Sequence, residues 1–243
     1  MEASKIQIVT LHGALLDRSS MTPIAKALQF AFSSASRIDL ELPGHGARIN
    51  EEYSTFHLEE LASDIGQQVD QRHPDFDWRN TIAVGESAGA LVLTKLIQSR
   101  KITPYALLLG EPPLGNAESM RYVARELEND GSRVAMSLWG DLFAFQAPGT
   151  LNHGDLLSSL GCCTLLVHGT ELETTESVRS PSVVEVEHLV GAYKNKHVHI
   201  CAAEGRGHRV LQTMAICWAF MLKGILAGGG IPQQKQSIIK ESI

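Results

Sequence analysis

The chain has 243 residues, 44% hydrophobic and 20% charged, which suits one globular domain large enough to bury a sizeable core. Its formal charge is −6 and no cluster of Lys and Arg interrupts it, which speaks against nucleic acid or an anionic membrane surface as the partner. The opening MEASKIQIVTLHG lacks the basic-then-apolar build of a secretory signal. The longest apolar stretch, residues 214–227, carries Lys223 and falls short of the ~20 residues that span a bilayer, so a cytoplasmic protein is expected.

Short β-branched or Leu-rich runs fall at residues 6–11, 36–40, 81–85, 105–109, 164–167 and 198–201. Each is almost wholly apolar or small, as strands buried on both faces must be. Helical spacing of apolar residues recurs between them, at 21–32 with Pro23 in the first turn, at 56–71, and at 87–100 through Leu91, Leu93, Leu96 and Ile97. A buried helix is expected at 214–227. Alternation of this kind, with right-handed crossovers, predicts an α/β fold: a doubly wound, mostly parallel sheet of about six or more strands with helices on both faces.

Two regions break the rhythm. Residues 116–161 read as an insertion with helical patterns around 118–129 and 133–145, a short helical lid rich in Met136, Leu138, Trp139, Leu142, Phe143 and Phe145. Residues 229–243 open with glycines and read as a flexible tail, leaving residues 1–228 as a single domain. The four cysteines, Cys162, Cys163, Cys201 and Cys217, show no metal-ligand spacing, and the adjacent pair reads as small core residues before a strand.

The most specific motif is Gly85-Glu86-Ser87-Ala88-Gly89, between the strand TIAVG and the helix ALVLTKLIQ. A sharp strand-to-helix turn forces the serine into a strained conformation and exposes its hydroxyl beside a helix N-terminus. Glycines two positions to either side are needed where a side chain would collide with the neighbouring strand and helix. Glu86, beside the serine, reads as a residue that stabilises its surroundings and could repel anionic substrates.

Four landmarks occur in order: Leu11-His12-Gly13 after the first strand, Leu42-Pro43-Gly44-His45-Gly46 after the second, the Ser87 turn after the third, and Gly207-His208 after the last. In this set the chain resembles the α/β-hydrolase family over nearly its whole length, up to about Gly228. The resemblance implies a nucleophile at Ser87 and a catalytic base at His208, because a serine hydroxyl attacks well only when a neighbouring base takes its proton. It also implies an oxyanion hole from the amides of Ala14 and Ala88. His12 and His45 are read as structural. The family's strand-then-H-G-x-x-D acid slot aligns with Val167-His168-Gly169-Thr170-Glu171-Leu172-Glu173, where Leu172 fills the Asp position. Glu171 is the first choice for the acid, with Glu173 and Glu111 as alternatives.

The expected activity is serine hydrolysis of a carboxylic ester or thioester of a small, partly apolar substrate, with no cofactor and no metal. The same fold and Ser–His pair also suit a lyase or cyclase of a cofactor or secondary-metabolite pathway, and a non-catalytic ligand-binding protein.

Overall fold

The structure is a computed structural model that describes residues 6–51, 57–115, 153–171, 182–184 and 186–228. The helical patterns expected at 118–129 and 133–145, the candidate acid Glu173 and the 229–243 tail lie outside the described residues.

Six strands form one sheet: β1 (Gln7–Leu11), β2 (Ser36–Leu40), β3 (Thr81–Glu86), β4 (Ala106–Gly110), β5 (Cys163–Gly169) and β6 (Val198–Ala203). Their spatial order is β2-β1-β3-β4-β5-β6, and every neighbouring pair is parallel. The main helices are α1 (Thr22–Ala31), α2 (Leu58–Arg72) and α3 (Ala88–Arg100). Among the described residues, four more follow β4: α4 (Gly154–Ser158), α5 (Val190–Tyr193), α6 (Val210–Thr213) and α7 (Ala215–Leu226).

Helices cover both faces of the sheet, and side chains alternate between them along each strand. In β1, Val9 and Leu11 join the core under α2 and α3, while Ile8 joins the core under α1 and α7. Ala83 and the pair Ile82 and Val84 divide in the same way on β3. The apolar runs of β3 and β4 are therefore buried throughout. The edge strands β2 and β6 depart from the expected full burial, because each is paired on one side only. On β2 the exposure is met by a polar group: Asp39 accepts from Thr10 Oγ1 at 2.6 Å and from Arg37 Nε at 2.7 Å.

Helix α3 is buried on nearly every side, including Leu91, Val92, Leu93, Leu96 and Ile97, which is why its apolar residues are not confined to one stripe. Strands β5 and β6 run longer than the sequence pattern suggested. Their ladder continues through His168↔Ala202 and Gly169↔Ala203, carrying both strands under the loop that bears His208. That loop is anchored on its far side by Trp218 of α7, fully buried, whose Nε1 donates to Val210 O of α6 at 2.8 Å.

The chain starts at β1, moves outward to β2, then crosses back to β3 on the other side of β1. The strand order reverses between β1 and β3, and open α/β sheets bind ligands in the crevice at the carboxyl ends of such a pair. His12-Gly13 follows β1 and Ser87 follows β3, so both landmarks stand at that crevice.

Candidate active site

Ser87 has φ 53° and ψ −123°, a backbone region that side-chain-bearing residues occupy only when their surroundings force it. The forcing is visible at both glycines of the motif. A Cβ on Gly85 would lie 2.6 Å from Ala90 Cα, and one on Gly89 would collide with the carbonyl oxygens of Leu11 and His12. Strand β3 and helix α3 are thus closer to one another, and to β1, than any side chain allows. Ala90 N donates to Ser87 O at 2.9 Å, so the helix begins at once. Ala88 is its first residue, and first-turn amides have no acceptor within their own helix.

The loop after β1 crosses directly over this turn. A Cβ on Gly13 would stand 2.9 Å from Ser87 Cβ and 3.2 Å from Glu86 O. Ala14, the next residue, packs half-buried against the α2–α3 core. Two buried histidines fix the loop's path. His12 Nδ1 donates to Gly13 O at 2.7 Å and its Nε2 accepts from Leu42 N at 3.1 Å. His45 Nδ1 donates to Pro43 O at 2.7 Å and its Nε2 accepts from Leu15 N at 3.0 Å. A carbonyl can only accept and an amide N–H can only donate, so these bonds fit neutral Nδ1–H tautomers, with Glu41 Oε1 also 3.1 Å from His12 Nε2. Burial accordingly lowers both imidazole pKa values, that of His12 to about 4.

Glu41 and Gln68, which sequence reasoning passed over, hold this loop from below. The Gln68 amide bonds both Glu41 N (3.2 Å) and Glu41 O (3.1 Å), as a neighbouring strand would. The Glu41 carboxylate accepts from Arg18 N at 2.9 Å. A Cβ on Gly46, whose φ is 47°, would meet that carboxylate at 2.5 Å. The last glycine of L-P-G-H-G thus answers a local steric demand.

His208 sits on the loop between β6 and α6, with 17% of its side chain exposed. Its Nδ1 lies 3.3 Å from Glu111 Oε2. The carboxylate that the structure brings to His208 is therefore that of Glu111, at the end of β4, and not that of Glu171. Glu111 is fully buried and highly determined. Its Oε1 accepts from Gly169 N and from Ser182 Oγ (2.8 Å), and its Oε2 also accepts from Val183 N at 2.8 Å. Its φ of 50° mirrors that of Ser87. Register explains the likeness: Glu86 is paired with Gly110, so Ser87 and Glu111 are the first residues past the ends of adjacent strands. Ser87 N donates to Gly110 O and Glu111 N to Val167 O, both at 2.8 Å, so the ladder continues through both turns.

Glu171 contributes through its backbone instead. Its N–H donates to Arg206 O at 3.0 Å and its carbonyl accepts from Ser182 N at 2.7 Å, tying together the two loops that surround Glu111 and His208. A Cβ on Gly169 would collide with Arg206 O, which shows how closely the His208 loop rests on the end of β5. Ser87 Oγ and His208 are not hydrogen-bonded to each other in this structure.

Glu86 is 1% exposed. Its Oε2 accepts from Gln212 Nε2 at 2.8 Å, and its Oε1 is buried with no hydrogen-bond partner among the described residues. Burial pushes its pKa up to about 7; the positive charges of His208 and Arg209 oppose the rise, and Glu111 adds to it. Burial likewise raises the Cys162 thiol to about 11, which fits the reading of that cysteine as a core residue. Among the described residues no group of three or more His, Cys, Asp or Glu could hold a metal ion, and no helix is long and apolar enough to cross a membrane.

No protein-family model and no curated protein matches the sequence. Solved structures do match the fold. ClbQ from the colibactin NRPS/PKS pathway superposes with a TM-score of 0.65 at 15% identity, covering 92% of this chain and 98% of its own. An esterase of Pyrococcus furiosus gives 0.66 at 18% identity, covering 93% and 83%. RedJ, a thioesterase of the prodiginine pathway in Streptomyces coelicolor, gives 0.57 at 16% identity, covering 91% and 85%. The parallel six-stranded sheet and these superpositions agree: the chain has the fold of these esterases and thioesterases.

Proposed function

We propose that this protein is a serine hydrolase that cleaves a carboxylic ester or thioester through an acyl-Ser87 intermediate. The observation that carries the reading is the pairing of a strained Ser87 with a couple of buried Glu111 and partly exposed His208 one strand away. The esterases and the thioesterase among the fold's neighbours support the same reaction class.

In this reading Ser87 Oγ attacks the substrate carbonyl carbon while His208 Nε2 takes the hydroxyl proton. Glu111 accepts the Nδ1–H bond, which fixes the tautomer that leaves Nε2 free and stabilises the imidazolium that forms. The Ser87–His208 bond closes when substrate occupies the crevice, as catalytic bonds often tighten only in the complex. The amides of Ala14 and Ala88 receive the tetrahedral oxyanion, each such donor contributing about 3–4 kcal/mol of transition-state stabilisation. His208 then protonates the leaving alcohol or thiol, and water repeats the sequence to release the acid. No cofactor takes part. The apolar residues Leu138, Trp139, Leu142, Phe143 and Phe145 of the segment between β4 and β5 favour a small substrate with a partly apolar acyl group.

A fluorophosphonate probe tests this. The wild type should gain one adduct by intact mass, absent from Ser87→Ala and formed much more slowly on His208→Ala. A well-folded wild-type protein that gains no adduct would refute the acyl-enzyme mechanism.

A further inference from the structure

The mechanism above leaves one buried ionisable group unused. Glu86 is the last residue of β3 and immediately precedes the nucleophile, yet its side chain turns to the far end of the catalytic apparatus. Gln212, whose amide it accepts, stands on α6, the short helix that follows His208. One hydrogen bond therefore joins the residue before Ser87 to the helix that continues the His208 loop.

A neutral side chain would fill this place at less cost. A glutamine has the same shape, can still accept from Gln212, and carries no buried charge. The carboxyl instead keeps one oxygen buried and without a partner among the described residues, a feature that in a native interior calls for an explanation. The charged groups that bear on it are His208 and Arg209 from the loop before α6, and Glu111 from the end of β4. No salt bridge to Glu86 forms among the described residues, so its ionised form has no counter-charge in contact. The positive charge that the reaction itself creates nearby is the His208 imidazolium.

We propose that Glu86 is a positioning residue for the hydrolysis, tying the His208 loop to the nucleophile strand through Gln212 and placing a second negative charge near the His208 imidazolium. This rests on the reading of Ser87 and His208 as the working pair. Glu111 orients the ring by direct contact, and Glu86 acts from the nucleophile's own strand. Its charge favours the proton's stay on His208 between attack and departure of the leaving group.

The test compares wild type, Glu86→Gln and Gln212→Met. Glu86→Gln removes the charge and preserves the shape, so its melting temperature should equal or exceed that of the wild type. Its fluorophosphonate labelling should nonetheless slow about tenfold, with the acid limb of the rate profile moved about half a pH unit or more downward, as loss of a nearby opposite charge requires. Gln212→Met removes the tether and leaves the carboxyl in place, and should be labelled several-fold more slowly, on the order of the loss of one side-chain hydrogen bond. Labelling of Glu86→Gln at the wild-type rate with an unmoved acid limb overturns the proposal, as does a loss of rate matched by a fall in melting temperature. Labelling of Gln212→Met at the wild-type rate overturns the tether. The His208 ring resonance is titrated by NMR in the same samples. A lower midpoint in Glu86→Gln upholds the coupling even if the wild type takes no probe, an outcome that would refute only the serine mechanism. An unchanged midpoint overturns the coupling.

Discussion

Replacing Glu111 by Gln should separate it from Glu171 as the group that orients His208. The Glu111 carboxylate accepts four hydrogen bonds, from Gly169 N, Ser182 Oγ, Val183 N and His208 Nδ1. A glutamine offers one oxygen and one NH₂. Set in one orientation, the NH₂ faces the Gly169 amide; set in the other, it faces the Val183 amide and the His208 ring. Either way donor meets donor. With each unsatisfied buried group costing about 1–3 kcal/mol, the fold should lose about 2–4 kcal/mol. The loss in activity should be larger in proportion, because an NH₂ set toward His208 no longer holds the tautomer that leaves Nε2 unprotonated, and one set away from it leaves no negative charge to stabilise the imidazolium. A triad acid neutralised in this way costs ~10⁴ in kcat, so turnover of an activated ester should fall by about three to four orders of magnitude. Glu171→Gln leaves untouched the backbone N–H and C=O through which that residue works, and its rate should stay within about twofold of wild type. Both variants are assayed with a p-nitrophenyl ester well below the melting temperature, with circular dichroism confirming the fold. Glu111→Gln retaining more than about a tenth of the activity, or Glu171→Gln as the crippled variant, would refute the argument.

Gly89→Ala should destabilise the protein by about 2–4 kcal/mol in urea titration, since its Cβ has only the carbonyls of Leu11 and His12 to displace and both belong to a central strand's end. Stability between pH 7.5 and 5 should be governed by two opposed titrations. His12, held near 4 when folded and 6.5 when unfolded, removes about 2 kcal/mol by pH 5, with His45 acting in the same direction; Glu86, held near 7 when folded and 4.5 when unfolded, returns a similar amount as it takes up its proton. The wild type should therefore change little over that range, while Glu86→Gln should be more stable at pH 7.5 and lose about 2 kcal/mol on acidification to pH 5. Urea midpoints at the two pH values check it, and a flat Glu86→Gln profile would refute it.

Much of this architecture is legible in the sequence because the forces that create it are local or periodic. Strands buried on both faces must be continuous apolar runs, so Thr81–Glu86 and Ala106–Gly110 stand out against the helices between them. The G-x-S-x-G spacing is readable because both glycines answer a steric demand within a few residues of Ser87. His12 and His45 are correctly read as structural, although nothing in the sequence shows that their rings each join two backbone groups. The supports that escaped notice, Glu41, Gln68, Ser182 and Gln212, are polar residues without a motif. Each matters only because the fold brings a distant backbone or carboxylate to it, Gln68 across 27 positions and Gln212 across 126.

Glu111 stands behind Glu171 in the sequence reading for a related reason. A slot defined by its offset from the fifth strand points to residues 171–173, and along the chain that is a sensible place to look for a partner to a histidine after the sixth. In a parallel sheet, however, proximity is set by register across strands. Leu11 is level with Gly85, Glu86 with Gly110, and Gly110 with Val167, so the residues just beyond these strand ends stand side by side along one edge. His12-Gly13, Ser87, Glu111 and His168 occupy that edge in order, and His208 reaches it from above β5. A carboxylate at the end of β4 sits beside the nucleophile and within reach of the histidine, whereas the β5 loop meets the His208 loop through backbone bonds to Arg206. One sequence cue was available. Leu107-Leu108-Leu109-Gly110-Glu111 sets a carboxylate directly after an apolar strand, with the same Gly-Glu step that precedes Ser87. A charge so placed must be buried at the carboxyl edge, where burial without hydrogen-bond donors would be prohibitive. The four donors gathered around Glu111 meet that requirement, and the histidine is one of them.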